Sequence, residues 1–579
     1  MQYNFKLGVL SCLLLTPSSV LVAFASPSYG QLSDITKVKI LAQAPNPQGD
    51  VNRDRFLQSP LNPQPLPPEP QQEFSSPIID QETTPMQTSE QVEVRKVEVK
   101  GSTIFSTEKL NSITQSIEGR TVSLEELEKV AKNITQLYLN QGYLTSRAVL
   151  PDLENITDGI VKIRIIEGSL EDVEIKGTRR LKPEFVRSRI IKAAGKPLSA
   201  AKLEDQLRLL KSNPLFENVE ASIGAGNGEG QSILKVRVTE AKQFNAAASF
   251  DSDSPPSVGS ERLGISAVYR NLTGNGDQIS GSYYRSLAGG SNIYELGYKV
   301  PLNADDGTLQ LRGSFNDNRV VRGDFKDLDI EGESQLYEIS YRQPLMRSTS
   351  EEFAISAGFT IQNGEFSVAG EPSVSNGRTR VIKLGQDYLK RDTKGAWAVR
   401  SQFSIGTGLF DATKTSDSTP DGQFFSWLVQ GQRVQQINND NLLIAQLDLQ
   451  LTPNPLLSSQ QFVIGGGQSV RGFRQNVRSG DNGVRLSVED RITLKKNASG
   501  SSVLQVAPFI DAGVIWNAND NPNTQPDQTF LAGAGVGVLW KPLPRMNMRL
   551  DYGLPLINLD DRGDNIQDDG LYFTLNYRI

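Results

Sequence analysis

Two side chains in this sequence are placed to do electrostatic work on each other: Arg471 and Asp511. Arg471 lies in Gly465-Gly466-Gly467-Gln468-Ser469-Val470-Arg471-Gly472-Phe473, a lone charge in a glycine-rich, apolar setting. Asp511 lies in Phe509-Ile510-Asp511-Ala512-Gly513. Leu504, Val506, Ile510, Ala512, Val514 and Trp516 share one parity of that segment, and Phe509, Asp511 and Gly513 the other. A strand sends alternate side chains to opposite faces, so this one turns its carboxylate away from the apolar set. A carboxylate in an enclosed space needs solvation or a cation, and an arginine can give it two charge-assisted hydrogen bonds. If the glycine-rich run folds inward, Arg471 is a candidate partner, and the glycines permit sharp turns and close packing. An ordinary flexible surface loop is the competing reading of the same run.

Other chemistry is scarce. The chain has no histidine and one cysteine, Cys12. Imidazole metal sites and histidine acid–base catalysis are therefore excluded, and beyond the leader so are disulfides and thiol nucleophiles. No enzyme activity, catalytic residue, metal or cofactor is expected. The acidic pairs Asp560-Asp561 and Asp568-Asp569 read as a solvated charge run in a loop. A net charge of -6, from 60 Lys+Arg against 66 Asp+Glu, gives no electrostatic case for binding nucleic acid.

The elements that must position Arg471 and Asp511 begin after a leader. Lys6, the apolar stretch 7–15 and the small-x-small Ala23-Phe24-Ala25 make residues 1–25 a signal peptide. A lipidated Cys12 would need a longer apolar stretch before it, and a membrane anchor would need ~20 apolar residues. No later stretch supplies such a run, so a membrane-spanning fold must be a closed barrel. Mean hydropathy of -0.36 suits a barrel, in which alternate strand residues meet lipid. Residues 26–91 are proline-rich, with Pro60, Pro63, Pro65, Pro67, Pro68 and Pro70 among glutamine, serine and acids. Such a segment is expected to be a disordered linker, either a plain spacer or a tether or plug.

Two similar units follow, at 92–168 and 169–242, as a weak repeat of about 75 residues. In the first, 92–99 alternates as a strand and 106–118 is helical. Ser123 and Glu126 form a capping box ahead of a helix striped with Leu127, Val130, Ile134 and Leu137. Gly142 stops that helix, and 143–150 and 159–166 read as strands. The second unit repeats the β-α-α-β-β order over 170–176, 183–194, 200–211, 219–223 and 232–239. Short α/β units with open strand edges can take up an extended peptide, or can serve as rigid spacers; the residues alone leave both open.

From 243 to 579 helical periodicity gives way to alternation. Tyr294, Leu296, Tyr298 and Val300 alternate with Glu295, Gly297 and Lys299; Met548, Leu550, Tyr552 and Leu554 alternate with Arg549, Asp551 and Gly553. Full charges on the polar parity fit a wet lumen. About sixteen antiparallel strands are expected, an even number that leaves both ends of the barrel beside the α/β units. Short connections (301–307, 344–350, 390–395, 438–440) trade places with long ones (316–333, 363–377, 408–422, 517–527, 558–570), the asymmetry of an outer-membrane barrel. The longest, 452–482, joins the eleventh and twelfth strands and carries Arg471; Asp511 lies on the thirteenth.

At this point the sequence resembles a known superfamily. Val470-Arg471-Gly472-Phe473 is similar to the inward-loop motif of outer-membrane insertases and two-partner secretion transporters, and Phe509, Asp511 and Gly513 to its paired strand motif. The α/β units resemble POTRA domains. Residues 138–151 (YLNQGYLTSRAVLP), with Tyr143, Ser146, Arg147, Ala148, Leu150 and Pro151, and 458–466 (SSQQFVIGG) resemble two-partner transporters of the ShlB/FhaC/HecB type. The proline-rich segment is similar in composition to cyanobacterial members. The resemblance implies a type V system in a Gram-negative-type outer membrane. Its POTRA domains, in the periplasm, capture an unfolded hemolysin- or hemagglutinin-like exoprotein, which leaves through the barrel. It also implies that the loop arginine contacts the wall aspartate, that 31–45 is a candidate plug helix, and that membrane lipid and the barrel-assembly machinery are partners. The terminal alternation Leu571, Phe573, Leu575, Tyr577, Ile579 resembles the strand signal that machinery reads, although such signals usually end in Phe. The rival readings are a barrel insertase and a passive porin or siderophore receptor; the second leaves the α/β repeats unexplained.

Overall fold

The computed structural model describes residues 91–150 and 158–579, apart from 324, 369–370 and 416–419. The expected signal peptide, the plug candidate and nearly all of the proline-rich segment lie outside the described residues.

The first α/β unit runs β1 (Gln91–Val94), β2 (Lys96–Lys100), α1 (Thr107–Thr114), β3 (Arg120–Ser123), α2 (Leu124–Asn140), β4 (Arg147–Val149) and β5 (Ile160–Ile166). Its sheet is ordered β2-β5-β4. The capping box forms: Ser123 Oγ accepts from Glu126 N at 3.3 Å, and Glu126 Oε2 from Ser123 N at 3.2 Å. Leu127, Val130, Ile134 and Tyr138 lie buried on one face of α2. The single strand expected over 92–99 breaks at Arg95, where the Arg95 and Lys96 amides both donate to Gly159 O. The first half pairs instead with β3, which is too short for its periodicity to be read. Burial pushes the Tyr138 phenol up to about 12; its hydroxyl donates to Glu167, which also accepts from the Thr103 amide and hydroxyl.

The second unit runs β6 (Ser169–Lys176), α3 (Pro183–Ile191), α4 (Ala200–Lys211), β7 (Phe216–Ala225) and β8 (Gln231–Glu240), with sheet order β6-β8-β7. Val173, Val186, Ile190, Leu203, Leu234 and Val236 form its core. The units are joined at residues of the 138–151 stretch. Gly142 O accepts from Ala200 N, the first residue of α4, at 3.0 Å, and Ser146 Oγ accepts at 3.0 Å from the amide of Gly168, the last residue of the first unit, whose carbonyl accepts from Leu198 N at 2.8 Å.

Sixteen antiparallel strands then close into a barrel, from β9 (Phe244–Asp251) through β19 (Asn441–Leu451) and from β22 (Asn482–Lys496) through β26 (Leu571–Arg578). Strand β26 pairs back onto β9, so the barrel sheet has no open edge. In β23 (Ser502–Trp516) Phe509, Asp511, Gly513 and Ile515 are buried while Ile510 and Trp516 are exposed, the parity read from sequence. The inner face is laced with ion pairs, among them Arg312–Glu295 at 2.8 Å, Arg342–Asp387 at 3.0 Å and Arg485–Asp448 at 2.5 Å. Leu263, Ile265, Leu296, Trp397 and Leu550 stand exposed on the outer face, which suits lipid.

The ends of the barrel differ. At one end lie short turns such as 392–394 and 437–440; at the other lie 407–424, 517–529 and 556–570. The long loop expected at 363–377 is instead mostly ladder: β15 (Glu351–Val368) and β16 (Glu371–Arg391) pair Asn363 with Arg378 and Glu365 with Asn376. Apolar alternation marks only the part of a strand that meets lipid, and a ladder that continues past the bilayer needs none. The four-residue connection 287–290 at the same end also departs from the expected alternation.

The second α/β unit docks on the short-turn end. Lys182 N donates to Gly274 O at 3.0 Å, and Asp205 Oδ1 accepts from the Thr349 amide and hydroxyl at 3.0 and 2.8 Å. Between them Arg189 of α3 lies buried, its guanidinium 3.5 Å from the centre of the Phe185 ring. It pairs with Asp306 in the turn 302–307, which also pairs with Arg347. Burial alone would raise the Asp306 carboxyl, but Arg347 and Arg189 hold it below the usual carboxylate range.

Candidate functional site

The connection between the eleventh and twelfth strands, residues 452–481, folds into the lumen. It is a hairpin in its own right: β20 (Phe462–Ile464) pairs with β21 (Arg478–Gly480), and the tip between them carries the motif. Gly465, Gly466 and Gly472 take φ values of +106°, +101° and +102°, which side-chain-bearing residues rarely adopt. The wall is flattened where the tip lands. A Cβ added at Gly533 would sit 1.9 Å from Arg471 O, and one at Gly553 2.7 Å from Gly472 N. Gly513 leaves room of the same kind, since a Cβ there would lie 3.2 Å from both Ile464 and Val470. Val470 and Phe473 bury themselves with Phe462, Ile464, Ile515, Leu531 and Leu559. Gly533→Ala is therefore expected to lift the tip off the wall, seen as faster protease cleavage within 465–477 in folded protein.

Arg471 and Asp511 meet. Arg471 Nε and Nη2 donate to the two oxygens of Asp511 at 2.7 and 2.9 Å, and the Arg471 amide adds a third bond at 3.1 Å. Ser487 Oγ donates a fourth at 2.6 Å, so the carboxylate, 1% exposed, is fully satisfied. The arginine has further partners, of which the sequence singled out Phe509 but not Glu489 or Asp551. Its Nη1 donates to Glu489 at 2.7 Å and lies 3.8 Å from Asp551, and its guanidinium carbon sits 3.3 Å from the centre of the Phe509 ring. Phe509 thus adds a cation–π face, which accounts for an aromatic at that motif position. Glu489 also pairs with Arg491 at 2.7 Å and Arg549 at 2.6 Å. The available signal was lumen parity: Arg485, Ser487, Glu489 and Arg491 alternate along β22, as Arg549 and Asp551 do along β25 (Met546–Pro555).

More ties hold the loop along its length. Tyr572 of β26 donates to Phe473 O at 2.6 Å and accepts from Gly472 N at 2.9 Å. Arg485 donates to Gln468 O at 2.8 Å. Asp481, fully buried, accepts from Leu456 N and Ala518 N, which fixes the base of the hairpin. Arg474 and Arg478 both pair with Asp561 at 2.8 Å. The acidic run is thus not simply solvated: Asp561 anchors the loop, and Asp568 is 3% exposed beside Arg474. Below the tip a cavity of about 620 Å³ is lined by Asp253, Gln446, Gln468, Arg485, Glu489 and Arg549. Among the described residues no cluster of His, Cys, Asp and Glu could hold a metal ion.

Comparison with known proteins agrees with this architecture. The POTRA domain of ShlB type matches residues 92–168. The outer membrane transporter CdiB of Dickeya dadantii is 24% identical over 77% of this chain and 79% of that protein. The hemolysin transporter protein ShlB of Serratia marcescens is 23% identical over 77% of this chain and 80% of its own. Among solved structures, CdiB from Escherichia coli superposes with a TM-score of 0.65 at 20% identity, covering 96% of this chain and all of that one. The family of haemolysin secretion/activation proteins ShlB/FhaC/HecB matches residues 230–539, more than half of the sequence, and the chain, an outer-membrane transporter with a POTRA domain, belongs to it.

Proposed function

We propose that this transporter takes up one unfolded exoprotein at its two α/β units and passes it through the lumen once the loop 452–481 has moved. Both units are read as POTRA domains, at 92–168 and 169–242, lying in the periplasm. Residues 1–25 direct the chain across the inner membrane, and 26–91 link the leader to the first unit. The observation that carries the reading is a loop folded into the lumen between two differently built ends, with Arg471 at its tip buried against Asp511 and Glu489. Open edges at β2, β4, β6 and β7 suit strand addition by an extended client. Folding of the client outside supplies the direction of movement, since no nucleotide is available at that membrane. The exposed apolar outer face is the lipid contact, and the end of β26 is the segment that barrel-assembly machinery would read.

The deciding experiment co-expresses the chain with an exoprotein encoded beside its gene. Release of that protein into the medium only when this chain is present supports the reading. Unchanged release without it, together with loss of unrelated outer-membrane proteins on deletion, would replace export with barrel insertion.

A further inference from the structure

The ring is tied most briefly where it closes. Between β26 and β9 the register runs only from Thr574 opposite Asp251 to Arg578 opposite Ala247. Between β14 (Ile330–Arg347) and β15, by contrast, it runs from Ile330 opposite Val368 to Arg347 opposite Glu352. Just beyond the short ladder, toward the long loops, Ser252 N donates to Phe573 O at 3.1 Å, while Phe573 N finds only the Ser252 hydroxyl, at 3.0 Å. At that point the backbone pairing is already giving way to side chains.

One side chain then spans the gap. Gln567, in the connection 556–570 before β26, is fully buried. Its Nε2 donates to Ser252 O at 2.5 Å and Ser254 O at 2.8 Å, on the far side of the seam. Its Oε1 accepts from Gln475 N at 2.8 Å, in the inward loop four residues past Arg471. A primary amide has two N–H donors and one carbonyl acceptor, and all are engaged. The loop also touches each side of the seam directly, through Gln468 to Asp253 at 2.8 Å and through Gly472 and Phe473 to Tyr572.

We propose that Gln567 is a positioning residue that couples the seated loop to closure of the β9–β26 seam, so that a loop leaving the lumen loosens the ring at its long-loop end. The seated loop orients the Gln567 amide through its carbonyl, and the oriented amide holds the Ser252 and Ser254 carbonyls, in the segment that follows β9. This rests on the proposed movement of the loop but not on the identity of any client.

The test uses the full chain with Cys12 replaced by serine and a reporter pair, Ser249→Cys and Asn576→Cys, at positions that face each other across the seam. The rate of linking by a short bis-thiosulfonate reagent is measured on barrels that show folded, heat-modifiable migration. Arg471→Ala is expected to slow linking at least threefold. Gln567→Glu keeps an acceptor for Gln475 N but sets a carboxylate against two carbonyls, and is expected to slow linking with the loop still seated. In a Gln567→Leu background, Arg471→Ala should add much less than its separate effect; if that background does not fold, Gln567→Glu takes its place. Unchanged linking in Arg471→Ala, or slowing that simply multiplies in the double variant, overturns the coupling. No client is present, so failure here would leave the export reading intact.

Discussion

Arg471→Ala is expected to impair release of the client, through a loop that no longer returns to its seat, while the barrel still inserts. Removing one partner of a buried ion pair leaves the other charges stranded, at a cost of about 3–5 kcal/mol. Here the stranded group is Asp511, 1% exposed, whereas Glu489 keeps Arg491 and Arg549. A change of that size shifts the ratio of seated to free loop by ~100-fold or more. The ladders other than the β9–β26 seam and the lipid face are untouched, so outer-membrane level and heat-modifiable migration should stay near those of the parent. Arg471→Lys should rescue little, because an ammonium cannot reproduce the two parallel bonds to Asp511 or stack on Phe509. Client in the medium at parental level in the alanine variant would remove the loop anchor from the mechanism.

The second large effect is expected at the docked end. Asp306→Ala leaves Arg189 and Arg347 facing each other without the carboxylate both engage. With Arg189 buried and Asp306 partly exposed, the loss amounts to about 2–3 kcal/mol of docking, somewhat below that of a fully buried pair. The second α/β unit should come away from the turns 271–277, 302–307 and 348–350, seen as a broadened distance between spin labels on α4 and on the turn 437–440. Arg189→Ala should be milder, because Asp306 keeps Arg347, and that order separates the ion-pair account from a simple packing defect. Acid should mimic the aspartate variant. The folded-state pKa of Asp306 is depressed, so its contribution is complete above the ordinary carboxylate value near ~3.9 and is lost as pH falls through the folded value. Label distances that stay unchanged as pH falls below the ordinary carboxylate value and through the depressed one would count against this.

Two local signals made Arg471 and Asp511 candidate partners, a lone charge among glycines and a carboxylate on the parity opposite an apolar set, and the resemblance of both motifs to a known superfamily implied the contact. Boundaries in the α/β units were legible where caps are local, as at Ser123 and Glu126 or over Ala200–Lys211. What could not be read depends on which distant segments meet. Glu489 and Arg549 carry lumen parity like a dozen other charges, and nothing in sequence ranks them as neighbours of Arg471. Gln567 sits in a run of acids that looks solvated, and its burial comes from three segments more than 90 positions apart in part. The ladder over 363–377 was missed for a different reason: beyond the bilayer no lipid selects one face, so the alternation fades while the hydrogen bonds continue.

The composition of the wall has a consequence for the cycle of the transporter. When Arg471 withdraws, Asp511, Glu489 and Asp551 remain opposite Arg491 and Arg549, three carboxylates against two guanidinium groups. The vacated socket is short of one positive charge in a poorly solvated place, and it attracts the same side chain back. If the loop moves as proposed, recovery after each passage is stored in the barrel as a restoring force that needs no fuel.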